Sequence, residues 1–328
     1  MAYDNLKLEK GLYTTGKSFT KALEELDPSE NYKGTELEGL DAFERQIKRF
    51  DIKVSGPNSD SISKFYSTST SSVLFPEYIS RVVRAGIDGN SKVEKIIATT
   101  TEIDSLDYRS LKFADDMDFS LEQTDEGDAI PECTIKVSSD LTKLKKYGKI
   151  LTATYEAIKF QRLDLFSITL NKIGESISND QFKTALESIF TSDFSNVVEV
   201  AGDDIEYTDL VNLWAKLQPY NLTTLVVSQK VAAKLLAMPE FRDANAGLDF
   251  HGTGRIITPF GAEVIIYGDE NDNIFAIDNR YALEKVQAGG VMTEFDKLID
   301  HQFERAAIST IVGFAPIFKD AAAILANE

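Results

Sequence analysis

The sequence predicts an α+β protein, because helical and strand-like patterns occupy different parts of the 328-residue chain. Apolar residues recur mostly at three- and four-residue intervals through residues 158–177, as in a long amphipathic helix. Residues 132–138 alternate polar and apolar side chains, as in a half-buried strand. From about residue 195, strand-like runs alternate with helical ones, which indicates a separate α/β region.

The first 73 residues are polar and show little apolar periodicity. The exception is Leu40, Phe43, Ile47 and Phe50, whose spacing predicts one short helix. Most of the rest consists of turn and loop residues. We therefore expect residues 1–73 to form an arm that gains order by lying on another surface.

Residues 74–103 mark a change in composition. Residues 74–87 have helical periodicity, with Pro76 near the start, where proline is tolerated in a helix. Residues 92–103 are rich in β-branched side chains and predict a strand.

Residues 104–156 change from acidic to basic along their length. We predict a long two-stranded hairpin with one acidic and one basic limb, which would need a partner surface because a lone hairpin is only marginally stable. Complementary charge is one way to select that surface. The candidate intersubunit contacts are Asp115, Asp116, Asp118, Lys143, Lys145, Lys146 and Lys149.

The second half of the chain predicts further regular elements. The long helix is followed by a second helical run at residues 182–190. Thr208 and Ser228 are candidate N-caps of two later helices, and residues 222–228 predict a buried strand. Residues 254–281 read as three strands joined by two turns. We expect the last stretch to return and pack near the long helix.

Composition excludes several classes of protein. The single cysteine, Cys133, rules out a disulfide within the chain and fits a reducing cytosol. The N-terminus shows no secretory signal and no segment has the roughly 18 apolar residues of a membrane helix, so we expect a soluble protein. The net charge of −18 repels nucleic acid on average. Solubility and a wall that encloses DNA without gripping it both explain this charge.

No motif indicates catalysis, a metal or a cofactor. His251 and His301 have no partner at metal-ligand spacing, and residues 251–255 precede a strand instead of opening a helix, unlike a phosphate-binding loop. Residues 269–273 lack the glycine and glutamate of a calcium loop. A hairpin turn is the favoured interpretation there, with a weak cation site between subunits as the alternative.

The order of these parts resembles the Hong Kong ninety-seven phage fold of tailed-phage major capsid proteins. Residues 126–158 resemble the returning limb of that family's extended loop, and residues 160–177 are similar to its spine helix. Residues 223–247 and 258–286 resemble its axial domain. The resemblance covers roughly residues 70–325.

The resemblance implies six segments with distinct roles. They are an N-terminal arm (1–73), a lead into the peripheral domain (74–103), an extended β-hairpin loop (104–156), the spine helix of the peripheral domain (157–194), an α/β axial domain (195–285) and a return to the peripheral domain (286–328).

The implied function is that of an icosahedral shell subunit around packaged double-stranded DNA, in a virion capsid assembled in the bacterial host cytoplasm. Its partners would be copies of itself in pentamers and hexamers, a separate scaffolding protein, a portal and decoration proteins. The lysine, asparagine and glutamate that crosslink some relatives have no identifiable counterparts here.

Three alternatives remain open at the level of sequence. One, within the same class, is the shell protein of a domesticated prophage or a phage-tail-like element. An encapsulin-like nanocompartment shares the fold but encloses cargo enzymes, and encapsulins typically lack so long an N-terminal arm. An acidic cytosolic α/β enzyme would need a pocket within residues 195–290, with His251 as the base beside Asp249 or Asp269.

Overall fold

A computed structural model of the chain gives the fold. It describes residues 2–14, 18–89, 91–105, 107–113, 135–137, 141–154, 156, 160–191, 194–202, 204–242, 256–268, 272–298 and 303–326.

Helices and strands alternate irregularly along the described residues. The helices are α1 (Phe19–Leu26), α2 (Ala42–Arg49), α3 (Phe75–Gly89), α4 (Leu163–Ile189), α5 (Tyr207–Lys216), α6 (Gln229–Ala237) and α7 (Pro239–Arg242). The strands are β1 (Thr99–Ile103), β2 (Leu111–Phe113), β3 (Ile135–Val137), β4 (Lys145–Thr154), β5 (Val197–Glu199), β6 (Thr224–Val227), β7 (Glu263–Ile266), β8 (Ile274–Ile277), β9 (Leu283–Ala288), β10 (Met292–Leu298), β11 (Phe303–Pro316) and β12 (Ala322–Ala326). Short 3₁₀ turns lie at Ala2–Asn5, Lys10–Thr14, Ser29–Tyr32, Ile62–Tyr66, Ser71–Leu74, Val93–Lys95 and Lys319–Ala321.

The chain divides into two compact units. The first unit comprises Met1–Ser91, Lys146–Asp180 and Gly289–Ile311. The second unit comprises Lys92–Lys145, Gln181–Ala288 and Val312–Glu328.

The core of the first unit lies between α3 and the first half of α4. The stripe predicted from sequence is buried as expected, through Leu163, Phe166, Leu170, Ile173 and Ile177. The helices approach closely at two glycines, since a Cβ on Gly86 would lie 2.5 Å from the Asn171 carbonyl oxygen and one on Gly174 would lie 2.3 Å from that of Val83. Only a residue without a side chain allows backbones so near to each other.

The N-terminal residues are a folded part of the first unit. Phe19 and Leu23 of α1 and Phe43 and Ile47 of α2 are buried in the same core as α3. The expectation that residues 1–73 form an arm on another surface is therefore wrong for their described part. The periodicity was weak because the buried side chains come from short helices and 3₁₀ turns, which hold too few turns to repeat a pattern.

Paired strands complete the first unit. β10 pairs with the start of β11, in register from Met292 opposite Ser309 to Leu298 opposite Phe303. β4 also pairs with β11. Gly148 permits this contact, because a Cβ there would lie 2.6 Å from the Ile308 carbonyl oxygen.

The second unit is built on a sheet of strand order β5-β12-β8-β6-β7. β6 is parallel to β7 and antiparallel to β8, and β12 is antiparallel to β8. The helices α5 and α6 bury Leu210, Leu213, Val231 and Leu235 in the core that this sheet shares. In the same unit, β9 is parallel to β1 and antiparallel to residues 312–316 of β11.

Several sequence predictions are corrected in detail. Residues 163–189 of the two predicted helical runs form one helix of 27 residues, because buried positions continue at helical spacing from Ile177 through Gln181 to Phe182. The first part of the strand predicted at 92–103 is a 3₁₀ turn. The N-cap of α5 is Glu206 and not Thr208, whereas Ser228 caps α6 as predicted by accepting from the Val231 amide at 3.1 Å.

The hairpin predicted for residues 104–156 is only partly reproduced. β2 and β3 form a short antiparallel pair, with Leu111 opposite Val137. The basic strand β4 instead pairs with β11, and the absence of a side chain at Gly148 lets the two backbones approach closely. Residues 114–134, which include Cys133, lie outside the described residues.

Two further expectations differ from the structure. β7 and β8 are not a hairpin, since β6 lies between them, and the connection nevertheless uses a left-handed residue, Asp272 at φ 54°. Residues 286–328 do not all return to the first unit, whose core contains the first half of α4. Residues 289–311 do, but β12 hydrogen bonds to β5 and β8 of the second unit.

Candidate assembly surfaces

The predicted basic contacts lie on and just before β4. Lys143, Lys145, Lys146 and Lys149 are all exposed. Because successive residues of a strand point to opposite faces, Lys145 and Lys149 share a face and Lys146 lies on the other. The strand therefore presents positive charge on both faces.

These lysines have little compensation within one copy of the chain. Lys145 approaches Glu187 at 3.9 Å, with both side chains 55% exposed, and such surface pairs contribute little stability. In the part of the chain that the structure describes, Lys143, Lys146 and Lys149 form no salt bridge. Asp115, Asp116 and Asp118 lie outside the described residues, so their pairing with the lysines stays a prediction.

A second surface, on α4, was missed by the sequence reading. Leu165 and Ile168 are 58% and 63% exposed on the face opposite the buried stripe. Residues three apart are neighbours on a helix surface, so the two form one apolar patch, here called the α4 patch. The sequence did contain a signal for this surface, since Leu165 and Ile168 are apolar residues that lie outside the periodic stripe of the helix. In the same unit, Phe160 is 74% exposed, and Ile150 of β4 is also exposed.

The second unit carries an exposed aromatic stack. Phe260 stacks with both Tyr207 and Trp214, with ring centroids 5.6 and 5.8 Å away and planes within 12° of parallel. Tyr207 and Trp214 lie two turns apart on α5, so the helix sets their spacing. The partly exposed indole makes Trp214, the single tryptophan, a natural fluorescence probe of this surface.

No arrangement typical of catalysis or metal binding appears among the described residues. No group of three or more His, Cys, Asp or Glu side chains there could hold a metal. Asp272 receives hydrogen bonds from Ser228 and Lys230, and the Lys230 contact lowers the pKa of its carboxyl. This cluster anchors the start of α6. His251 and His301 lie outside the described residues.

Comparison with known proteins identifies the family. The profile of the phage capsid protein family matches residues 138–324, which is more than half of the chain. The chain belongs to the phage capsid protein family. No protein of curated function matches the sequence.

Solved capsid structures share the fold of this capsid protein. A virus-like particle from Pyrococcus furiosus superposes with a TM-score of 0.53 at 16% identity, over 76% of this chain and 98% of that one. The capsid of a native GTA particle gives 0.53 at 16% identity, over 72% and 90%. Microbacterium phage Oxtober96 gives 0.52 at 9% identity, over 72% and 91%.

These matches settle the class of the protein. It is a structural subunit of a phage capsid shell with the α+β fold of the Hong Kong ninety-seven phage, and its place is the virion capsid. The expectation of a non-enzymatic protein agrees with that family, and the enzyme alternative is wrong. No helix in the described ranges is long and apolar enough to cross a membrane.

Proposed function

We propose that this capsid protein assembles as pentamers and hexamers into a closed icosahedral shell around the double-stranded DNA of a tailed phage. The observation that carries the proposal is the α4 patch. Leu165 and Ile168 are large apolar side chains that are more than half exposed on a regular helix, so covering them costs little free energy. Contiguous exposed apolar surface of this kind is typical of interaction sites. Capsid proteins self-assemble, so the natural cover is another copy of the chain.

The two units supply the parts expected of a shell subunit. The first unit, whose core contains the first half of the long helix α4, fits a peripheral domain, and the second unit, with its five-stranded mixed sheet, fits an axial domain. The β2–β3 ladder fits the root of an extended loop. These roles are inferred from the order of elements within each unit.

Charge supports a specific pairing between copies. Lys143, Lys146 and Lys149 are exposed on a chain of net charge −18. Asp115, Asp116 and Asp118 of a neighbouring copy would give them complementary charge, which selects partners and register more than it adds affinity. The same negative balance would leave packaged DNA mobile against the wall, because the wall does not attract phosphates.

Further partners follow from the geometry of a closed shell. One chain that occupies both pentamers and hexamers needs a factor that sets curvature. Residues 1–73 do not fit a removable scaffolding segment, because Phe19, Leu23 and Phe43 are built into the core. A separate scaffolding protein and a portal are therefore the partners we propose, with decoration proteins as optional additions.

Size-exclusion chromatography with negative-stain microscopy tests the proposal. The chain is purified alone and after co-expression with genes for a scaffolding protein and a portal. Closed shells, tubes, or rings of five and six subunits are expected. A monomer or dimer under every condition would refute the shell function, and closed particles holding an enzyme in place of DNA would favour a nanocompartment.

A further inference from the structure

One buried carboxylate gathers an unusual set of donors in the second unit. Glu284 on β9 is 7% exposed. Its Oε1 accepts hydrogen bonds from Thr101 Oγ1 at 2.5 Å and from the Tyr108 hydroxyl at 2.6 Å, and its Oε2 accepts from Ser110 Oγ at 2.9 Å. Both oxygens are thus satisfied by hydroxyl groups from 174 to 183 residues away in sequence.

The position of the donors is informative. Tyr108 and Ser110 lie in residues 107–110, which lead directly into β2. Thr101 lies on β1, which is parallel to β9. The carboxylate therefore ties the segment that enters the β2–β3 ladder to strands β1 and β9 of the second unit.

The segment that leaves the ladder is held to the same place. The Thr142 amide donates to the Tyr108 carbonyl oxygen at 2.9 Å, so the outgoing and incoming segments are joined directly. Residues 143 and 144 cross the backbone of β11 at Gly313, where a Cβ would lie 3.0 Å from the Lys143 carbonyl oxygen. Residues 107–110 and 141–144 form what is called here the loop root.

The strength of the three hydrogen bonds to Glu284 depends on the acceptor being a carboxylate. A hydrogen bond to an ionised acceptor is stronger than one between neutral groups, and a buried carboxylate without donors is costly. Burial and the hydrogen bond to Glu284 raise the pKa of Tyr108, so the phenol remains a donor at neutral pH. All three hydroxyls can rotate, and those of Tyr108 and Ser110 reach the carboxylate only while the loop root stays in place.

We propose that Glu284 is a positioning residue for assembly, which fixes the direction of the β2–β3 ladder relative to strands β1 and β9 of the second unit. The role rests on the proposed shell function, since this direction matters only if the ladder is presented to a neighbouring copy. Loss of the carboxylate would remove the side-chain hydrogen bonds of Tyr108 and Ser110 and leave the backbone hydrogen bond from Thr142 to Tyr108 in place.

Hydrogen–deuterium exchange on the purified, unassembled full chain tests the contact separately from assembly. Glu284→Ala should speed exchange of amides in the loop root by roughly tenfold, the factor for losing about 1.4 kcal/mol of local stability. Glu284→Gln, which keeps one acceptor oxygen, should fall between this variant and the unchanged protein. The matched control is Glu102→Gln on β1, an exposed glutamate on the neighbouring strand, which should change nothing.

A second variant covers the case in which Glu284→Ala fails to fold. Tyr108→Phe with Ser110→Ala keeps the carboxylate and removes two donors, and exchange in β6 and β8 reports whether the second unit remains intact. Unchanged exchange in the loop root of a folded variant overturns the proposal. If the root loosens but the shells seen by microscopy are normal in number and shape, the role in assembly is refuted. If the unchanged chain never assembles, the shell function fails while the exchange result still decides the contact.

Discussion

The guanidinium group of Arg45 and the carboxylate of Asp27 form a salt bridge from which solvent is fully excluded. Arg45 Nε lies 3.0 Å from Asp27 Oδ2, and both side chains are 0% exposed. Arg45 Nη1 also donates to the Ser29 hydroxyl at 2.9 Å and to the Leu40 carbonyl at 2.6 Å, while its guanidinium lies over the Tyr32 ring. The segment that connects α1 to α2 therefore packs around the guanidinium group of Arg45.

Removing that cation should destabilise the first unit strongly. Arg45→Met leaves Asp27 buried with a charge that lacks its counterion, so we expect a loss of about 3–5 kcal/mol in the free energy of unfolding, measured with urea at neutral pH. Lys48→Met, an exposed site on the same helix, is the control and should change it by less than about 0.5 kcal/mol. A loss below about 1 kcal/mol for Arg45→Met would contradict the structure.

The crossing of α3 and α4 should not tolerate a single methyl group. Gly86→Ala places a Cβ against backbone atoms of Asn171, which cannot move aside as a side chain would, so we expect a loss of about 1–3 kcal/mol. Gly89→Ala is the matched control on α3, because nothing lies within 4 Å of its Cβ. Thermal unfolding by circular dichroism distinguishes the two, and equal melting temperatures would argue against this helix crossing.

The raised pKa of Tyr78 predicts that the folded protein loses stability at alkaline pH. Its hydroxyl donates to the Leu163 carbonyl at 3.2 Å, and burial together with the nearby charge of Asp164 raises its pKa from 10.0 to about 12. Because the folded state holds the proton more tightly, this stabilisation is complete below about pH 10 and disappears as the pH rises through about 12. Denaturant midpoints measured across that range should fall less steeply for Tyr78→Phe. An identical slope would show that the phenol is not protected by the fold.

If lysines of one copy pair with aspartates of a neighbouring copy, reversing the charge on one side should weaken assembly, and reversing it on both sides should restore it. Lys146→Glu with Lys149→Glu should reduce shell yield by about tenfold or more, because like charges then face each other. Adding Asp115→Lys, Asp116→Lys and Asp118→Lys should restore part of that yield. Lys33→Glu with Lys53→Glu, at two exposed sites in the first unit, changes the net charge by the same amount and is the control. Particle counts by microscopy measure all three, and failure of the combined variant to exceed the lysine variant would exclude this pairing.

The α4 patch should matter for assembly and not for folding. Ile168→Ser removes apolar area that is already exposed, so the free energy of unfolding of the unassembled chain should change by less than about 0.5 kcal/mol. Shell formation should shift to higher protein concentration. Thr169→Ser, its exposed neighbour on α4, is the control. Normal assembly of Ile168→Ser would remove the patch from the interface.

Local patterns determined much of this protein from sequence alone. The buried stripe from Leu163 to Ile177, the strand β6 and the cap at Ser228 depend on side chains close together in sequence, where periodicity and capping chemistry are strong signals. The resemblance over residues 70–325 also anticipated the family whose profile matches residues 138–324.

Only the tertiary structure decided which distant segments meet. Nothing in the sequence of β4 favours β11 over another strand, and the pairing depends on Gly148 leaving room for the backbone at Ile308. In the sequence, Glu284 is indistinguishable from any other strand residue. Its hydrogen bonds with Thr101, Tyr108 and Ser110 exist only in the folded structure. Such contacts are absent from sequence patterns because each depends on three-dimensional proximity across more than 150 residues, which the folding of the whole chain creates.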